Sequence, residues 1–202
     1  MHPGAIQSHS EVDLHTPDAF PPGWRITTIE AAPSAPLPDL RTAVEEALAA
    51  PLDSLPLHKI ARRSMHVCIA FTDATRACPD AVIISTILRE LSAAGIPDEN
   101  IVLLCATGMH RPSTFQEKIA KLGVDLALRY KVVDHEAQNP AVLVNLGTVG
   151  RPDLDLPADV PVLVNRLAAE ADLLIATGVV EPHHYAGYSG GSKTVTIGCG
   201  GE

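Results

Sequence analysis

Four short stretches carry residue types that do chemistry. The first is Thr72-Asp73-Ala74-Thr75-Arg76. An Arg guanidinium binds carboxylate or phosphate through two parallel hydrogen bonds, and Asp and Thr side chains bond hydroxyls. Asp73, Thr75 and Arg76 could therefore form a polar cradle; an Asp-initiated turn with a surface Arg fits the same residues as well. The second and third stretches are Ala106-Thr107-Gly108-Met109-His110-Arg111-Pro112 and Thr177-Gly178-Val179-Val180-Glu181-Pro182-His183-His184-Tyr185. Imidazole titrates near neutral pH, so of His110 and His183 one can take a proton while the other gives one. A reaction that inverts a stereocentre needs a base on each face of its substrate, which two such loops would supply. A lone His is more often structural. His184 is expected to point away from its neighbour, and His135, between Asp134 and Glu136, to orient or stabilise.

The fourth stretch is Gly187-Tyr188-Ser189-Gly190-Gly191-Ser192-Lys193-Thr194. It looks like a phosphate loop but has Ser192 where the second glycine of G-x-x-x-x-G-K-[ST] belongs, and it lies well beyond the preceding strand. A glycine-rich turn entering a helix still suits an anion. Lys193 could neutralise a phosphate or act as a nucleophile; a surface turn with a solvated Lys is the plainer alternative.

The elements that must position these residues follow from periodicity. Residues 1–23 read as a loose leader and 24–202 as one domain. Trp24–Glu30 alternates like a short strand, and Pro33, Pro36 and Pro38 mark an extended connector. Asp39 caps a helix running to about Ala50. Met65–Phe71, Ile101–Cys105 and Leu173–Ala176 are apolar runs expected of strands buried on both faces. Further strands are expected at Tyr130–Val133, Val142–Leu146 and Val160–Val164. Pro79 opens a helix ending at Gly95, with Ile84, Ile87, Leu88 and Leu91 on its stripe. Ser113 and Gln116 fit a capping box for a helix that sets Phe115, Ile119 and Leu122 on one face and stops at Gly123. A short helix is expected at Leu167–Ala171. Strands alternating with helices imply an α/β fold, a mainly parallel, Rossmann-like sheet with helices on both faces. Ligands of such sheets sit beyond the carboxyl ends of the strands, where the first three stretches and Asp134-His135-Glu136 fall.

Composition narrows the partners. Of 202 residues, 24 are acidic and 15 basic, a net charge of −9 that is the wrong sign for binding a phosphate backbone. Aromatics at 3% leave no stacking platform for single strands, so nucleic acid is excluded as a partner. No apolar stretch is long enough to span a bilayer and the first residues lack a signal-peptide pattern, so no membrane is expected and a cytoplasmic location is the default. Cys68, Cys78, Cys105 and Cys199 show no C-x-x-C spacing, and Cys68 and Cys105 read as buried thiols.

The motifs TDATR (72–76), ATGMHRPST (106–114), DHEA (134–137) and above all EPHHYAGYSGGSK (181–193) resemble, in this order, the N-terminal domain of the nickel-dependent lactate racemase family. The resemblance runs from about Met65 to Glu202. Ala77 departs from it, since the family usually has Pro directly after the Arg. The resemblance implies the first domain of a two-domain enzyme that racemises or epimerises 2-hydroxy acids. Its cofactor would be a nickel-pincer nucleotide (pyridinium-3-thioamide-5-thiocarboxylic acid mononucleotide carrying Ni), tethered at Lys193 through a thioamide. It implies that His110 and His183 are the acid/base pair, each removing the hydroxyl proton of one enantiomer while hydride passes to the cofactor. Asp73, Thr75 and Arg76 would help hold the nucleotide, with the Ser189-Gly190-Gly191 turn against it.

The implied partners are a small 2-hydroxy acid, the cofactor-synthesis proteins and a C-terminal domain that would carry the histidine completing the nickel coordination. No histidine follows Lys193 in these residues, so the expectation is a first domain or fragment with little or no racemase activity alone. The alternatives are a non-catalytic nucleotide- or anion-binding module and a degenerate phosphate-loop NTPase.

Overall fold

The computed structural model describes residues 20–25, 27, 35–150 and 160–202. The chain divides into two units, Met1–Pro36 and Leu37–Glu202, and the fold that follows is that of the second. Most of the expected leader and most of the expected strand at Trp24–Glu30 lie outside the described residues; Trp24, Arg25 and Thr27 themselves are in no strand.

Four parallel strands form the central sheet in the order β3-β2-β1-β6. They are β1 (Val67–Phe71), β2 (Ile101–Cys105), β3 (Lys131–Asp134) and β6 (Leu173–Ala176). Side chains alternate between the faces of a strand, and the core divides accordingly. Val67, Ile69, Phe71, Ile101, Leu103 and Cys105 pack on one face with Ile84, Ile87, Leu88 and Leu91 of helix α3 (Asp80–Ala93). Helices α1 (Leu40–Ala49) and α2 (Leu57–Ile60) add Leu48 and Leu57 to that layer. Cys68, Ala70 and Leu104 face the other way, against Ala168 of α6 (Arg166–Ala169), Val164 and Cys199. Thus the α/β fold read from the sequence, a parallel sheet covered by helices on both faces, is the one observed. Asp39 caps α1 by accepting from the Arg41 N–H at 3.0 Å.

Three local expectations need correction. The capping box of helix α4 (Phe115–Leu122) is built by Thr114 and Glu117, one residue later than Ser113 and Gln116. Both pairs have the right spacing, but Glu117 is ionised and also takes two hydrogen bonds from Arg111, at 2.9 and 2.6 Å, which a Gln at 116 would not match. Ser113 Oγ instead lies 3.5 Å from Cys105 Sγ. Phe115, expected on the inner face, is 52% exposed, while Leu122 is in the core. Gly123 does end α4, but its positive φ of 80° turns the chain directly into another helix, α5 (Val124–Arg129). The strands expected near 142 and 160 exist as β4 (Leu143–Val149) and β5 (Val160–Asn165), yet they pair antiparallel in a separate ribbon rather than joining the parallel sheet.

Candidate active site at the carboxyl edge of the sheet

Leaving β1, the chain closes a turn at once. The Asp73 carboxylate accepts from the Thr75 N–H at 3.0 Å and the Thr75 hydroxyl at 2.6 Å, and the Arg76 N–H donates to the Asp73 carbonyl at 3.2 Å. Asp73 is buried, whereas Thr75 and Arg76 are exposed. The Asp73 oxygen not used by Thr75 lies 2.5 Å from His110 Nδ1, on the loop that leaves β2. Burial alone would raise the Asp73 carboxyl, but the hydrogen bonds from His110 and Thr75 outweigh it and hold it below the ordinary carboxylate range. The His110 loop is fixed from behind, where the Gly108 N–H donates to the Gly198 carbonyl at 2.9 Å.

Beyond β6 the chain makes a small antiparallel hairpin, β7 (Pro182–His183) with β8 (Gly187–Tyr188). His183 sits at its turn, where its Nδ1 accepts from the backbone N–H groups of Tyr185 (3.3 Å) and Ala186 (3.1 Å). Partial burial, then the charges of Lys193 and Arg76 together with His184, hold the His183 imidazole below its ordinary range. Ser189 staples the base of the hairpin. Its hydroxyl donates to the Val179 carbonyl at 2.6 Å and accepts from the Glu181 N–H at 2.9 Å. Gly190, with φ +72°, follows at a point where an added Cβ would come within 3.0 Å of the Val179 carbonyl. Lys193 lies in the short helix α7 (Ser192–Thr196), half-buried, and among the described residues its amine has neither a hydrogen bond nor an ion pair.

These loops enclose one cavity of about 690 Å³, lined by Asp73, Thr75, Arg76, His110, His183, Ser189, Gly190 and Lys193 among others. The volume lies in the range of small-molecule and cofactor sites. Of the residues singled out in the sequence, Gly191 and His184 do not line it. His184 stacks on His183 with ring centroids 5.0 Å apart. His135 is also elsewhere, 1% exposed; its Nε2 donates to the Gly200 carbonyl at 2.8 Å and its Nδ1 accepts from Asn165 Nδ2 at 3.1 Å. Burial depresses its basicity, partly offset by the Gly200 bond and Glu136, so it is a neutral brace for the C-terminal segment.

The sequence reading missed Asp80 and Lys121. Asp80 is fully buried beneath the first loop and forms a 2.6 Å ion pair with Lys121 of α4. It also accepts from the hydroxyls of Thr72 (2.7 Å) and Thr177 (3.0 Å), the residues that leave β1 and β6. Lys121 Nζ donates further to the carbonyls of Arg76 (2.9 Å) and Cys78 (3.3 Å). One buried charge pair thus ties together the loop carrying Asp73 and Arg76 and the start of the loop carrying His183. Its only sequence signal was an Asp in the first turn of a helix, which by itself reads as a complement to the helix dipole.

The geometry disfavours a phosphate-loop NTPase. Such a loop joins a strand of the sheet directly to its helix, whereas the β7–β8 hairpin separates β6 from α7. Among the described residues no group of three His, Cys, Asp or Glu side chains is placed to hold a metal, and no helix is long and apolar enough to cross a membrane.

Residues 14–202 match the lactate racemase N-terminal domain family. The chain is 38% identical over 155 residues to a lactate racemase of Lactiplantibacillus plantarum and 36% identical over 155 residues to one of Thermoanaerobacterium thermosaccharolyticum. Each match covers 77% of this chain but only 35% and 34% of the relative, so the chain spans about a third of their length. Among solved structures, the lactate racemase apoprotein of T. thermosaccharolyticum superposes with a TM-score of 0.71 at 33% identity, covering 80% of this chain and 37% of that one. A Thermotoga maritima protein gives 0.61 at 26% identity, covering 80% and 38%.

Proposed function

Because the chain belongs to the lactate racemase N-terminal domain family, we propose that its cavity is the cofactor-holding, acid/base part of a lactate-type racemase or epimerase acting on 2-hydroxy acids. The observation that carries this reading is that His110 on the loop after β2, His183 on the β7–β8 hairpin and Lys193 on helix α7 line a single cavity.

The residues present suit a nickel-pincer nucleotide. The Lys193 amine has no partner among the described residues and is available for acylation into a thioamide tether. At Gly190, which lines the cavity, the Val179 carbonyl is so close that no side chain could be accommodated. Arg76, exposed at the rim, supplies a guanidinium for a phosphate or carboxylate. When bound, the cofactor would supply the hydride acceptor that these side chains lack. The chain's own contribution is protonic: His110, oriented by Asp73, and His183, on the β7–β8 hairpin, are the groups that accept or return the hydroxyl proton of the substrate, His183 accepting only when its Nδ1 releases the two backbone amides. Ser189 acts by closing the loop, since its hydroxyl is already committed to Val179 and Glu181.

The test is intact-mass analysis and peptide mapping after co-expression with the cofactor-synthesis proteins. An adduct on Lys193 that is absent from Lys193→Ala supports the reading. Reversible nucleotide binding without an adduct would replace it with a non-catalytic binding module.

A further inference from the structure

The two imidazoles at the cavity are both held through Nδ1, but by partners of opposite hydrogen-bonding sense. His110 Nδ1 faces the Asp73 carboxylate at 2.5 Å, and a carboxylate held ionised can only accept, so Nδ1 must carry the proton there. His183 Nδ1 faces two backbone N–H groups, at 3.3 and 3.1 Å, which can only donate, so in this ring Nδ1 must be the bare nitrogen. A neutral imidazole has one N–H and one lone pair. From these contacts we infer that His110 and His183 rest in opposite tautomers: His110 offers an unprotonated Nε2, a base ready to take a proton, and His183 offers an Nε2–H, a hydrogen-bond donor.

This rests on the racemase reading for its use but not for its truth, since the tautomers are fixed by this chain alone. In that use the two rings are chemically unequal before substrate arrives. A hydroxyl presented to His110 Nε2 gives up its proton in one step, leaving an imidazolium whose Nδ1–H stays on Asp73. Protonating His183 would instead place a hydrogen on Nδ1 and break both backbone contacts. Partial burial and the nearby charges of Lys193 and Arg76 act in the same direction on His183. Asp73 is thus a positioning residue for the base. Its other oxygen is already claimed by the Thr75 N–H and hydroxyl. An Asn at 73 would therefore keep its carbonyl toward Thr75 and turn its NH₂ toward His110. An NH₂ can only donate, so it would drive the His110 proton from Nδ1 to Nε2.

The experiment is two-bond proton–nitrogen NMR of the histidine-labelled 202-residue chain at about pH 8, well above the ordinary imidazole range. The rings are assigned with His110→Gln and His183→Gln. The expected spectrum shows a pyrrole-like Nδ1 and pyridine-like Nε2 for His110, and the reverse for His183. In Asp73→Asn the His110 pattern inverts while that of His183 stays. A pyrrole-like Nε2 on wild-type His110, or a pyrrole-like Nδ1 on His183, overturns the assignment. An unchanged His110 pattern in Asp73→Asn overturns the positioning role. None of these outcomes bears on whether Lys193 takes a cofactor adduct, so the two readings fail separately.

Discussion

Replacing Lys121 with Met keeps an unbranched side chain in the same space and removes only its ammonium group. Asp80, fully buried, then retains the Thr72 and Thr177 hydroxyls but loses the one cation within 4 Å among the described residues. Stranding one member of a buried ion pair costs about 3–5 kcal/mol. At about 2–4 °C per kcal/mol for a domain of this size, Tm should fall by roughly 6–20 °C. The loss should be largely local in cause. Combining Lys121→Met with Asp80→Asn removes the stranded charge while an amide can still bond the two threonines, so the double variant should recover most of the loss. Differential scanning calorimetry of the wild type, both single variants and the double variant gives the cycle. As a control, Glu170→Gln breaks the exposed Arg166–Glu170 pair and should cost no more than about 1 kcal/mol. If Lys121→Met costs no more than that control, the pair does not tie the site loops together and this view of the site's foundation is wrong.

Other outcomes follow from the same coordinates. His135 is held neutral, its basicity lowered by burial, so as pH falls below about 6.5 the unfolded chain takes up a proton that the folded one refuses; urea midpoints should drop between about pH 7.5 and 5.5, and His135→Gln should flatten that drop. The Asp73 carboxyl is depressed, so its contribution to stability is present above 3.8 and is lost as pH falls through its lower folded value; a carboxyl-carbon NMR titration should place that midpoint below 3.8. Gly198→Ala sets a Cβ 2.5 Å from the Thr194 carbonyl and 2.8 Å from Ala106 Cβ, which should cost about 1–3 kcal/mol by chemical denaturation and loosen the His110 loop. Leu103→Ala, in the middle of β2, should cost about 2–5 kcal/mol in the same assay.

The two central strands, β1 and β2, were legible because both of their faces are buried, which leaves continuous apolar runs such as Val67–Phe71 that few other contexts allow. That burial also fixed the site's position, since the polar residues leaving β1, β2 and β6 must emerge at one edge. What could not be read depends on choices between near-equal local options or on partners distant in sequence. Ser113 and Thr114 are both acceptable caps, and only the Arg111 contact to Glu117 separates them. Gly123 looks like a helix terminus and is also the start of the next helix. The ribbon of β4 and β5 grades from buried at its Leu143/Asn165 end to exposed at its Val149/Val160 end, and nothing in its residues says which sheet it joins. Asp80 and Lys121 belong to different helices, and no spacing rule pairs them. The His183 tautomer is set by backbone amides of a turn, which carry no side-chain signature at all.

The central claim is that three groups far apart in the chain serve one ligand, and a single titration tests it. A pyridinium-carboxylate mononucleotide is added to the 202-residue chain while the imidazole nitrogens of His110 and His183 are followed by NMR and the acylation rate of Lys193 by mass spectrometry. One shared binding curve is predicted, shifting both rings and protecting the lysine together. Binding that moves one of the three groups and leaves the others untouched would contradict the account.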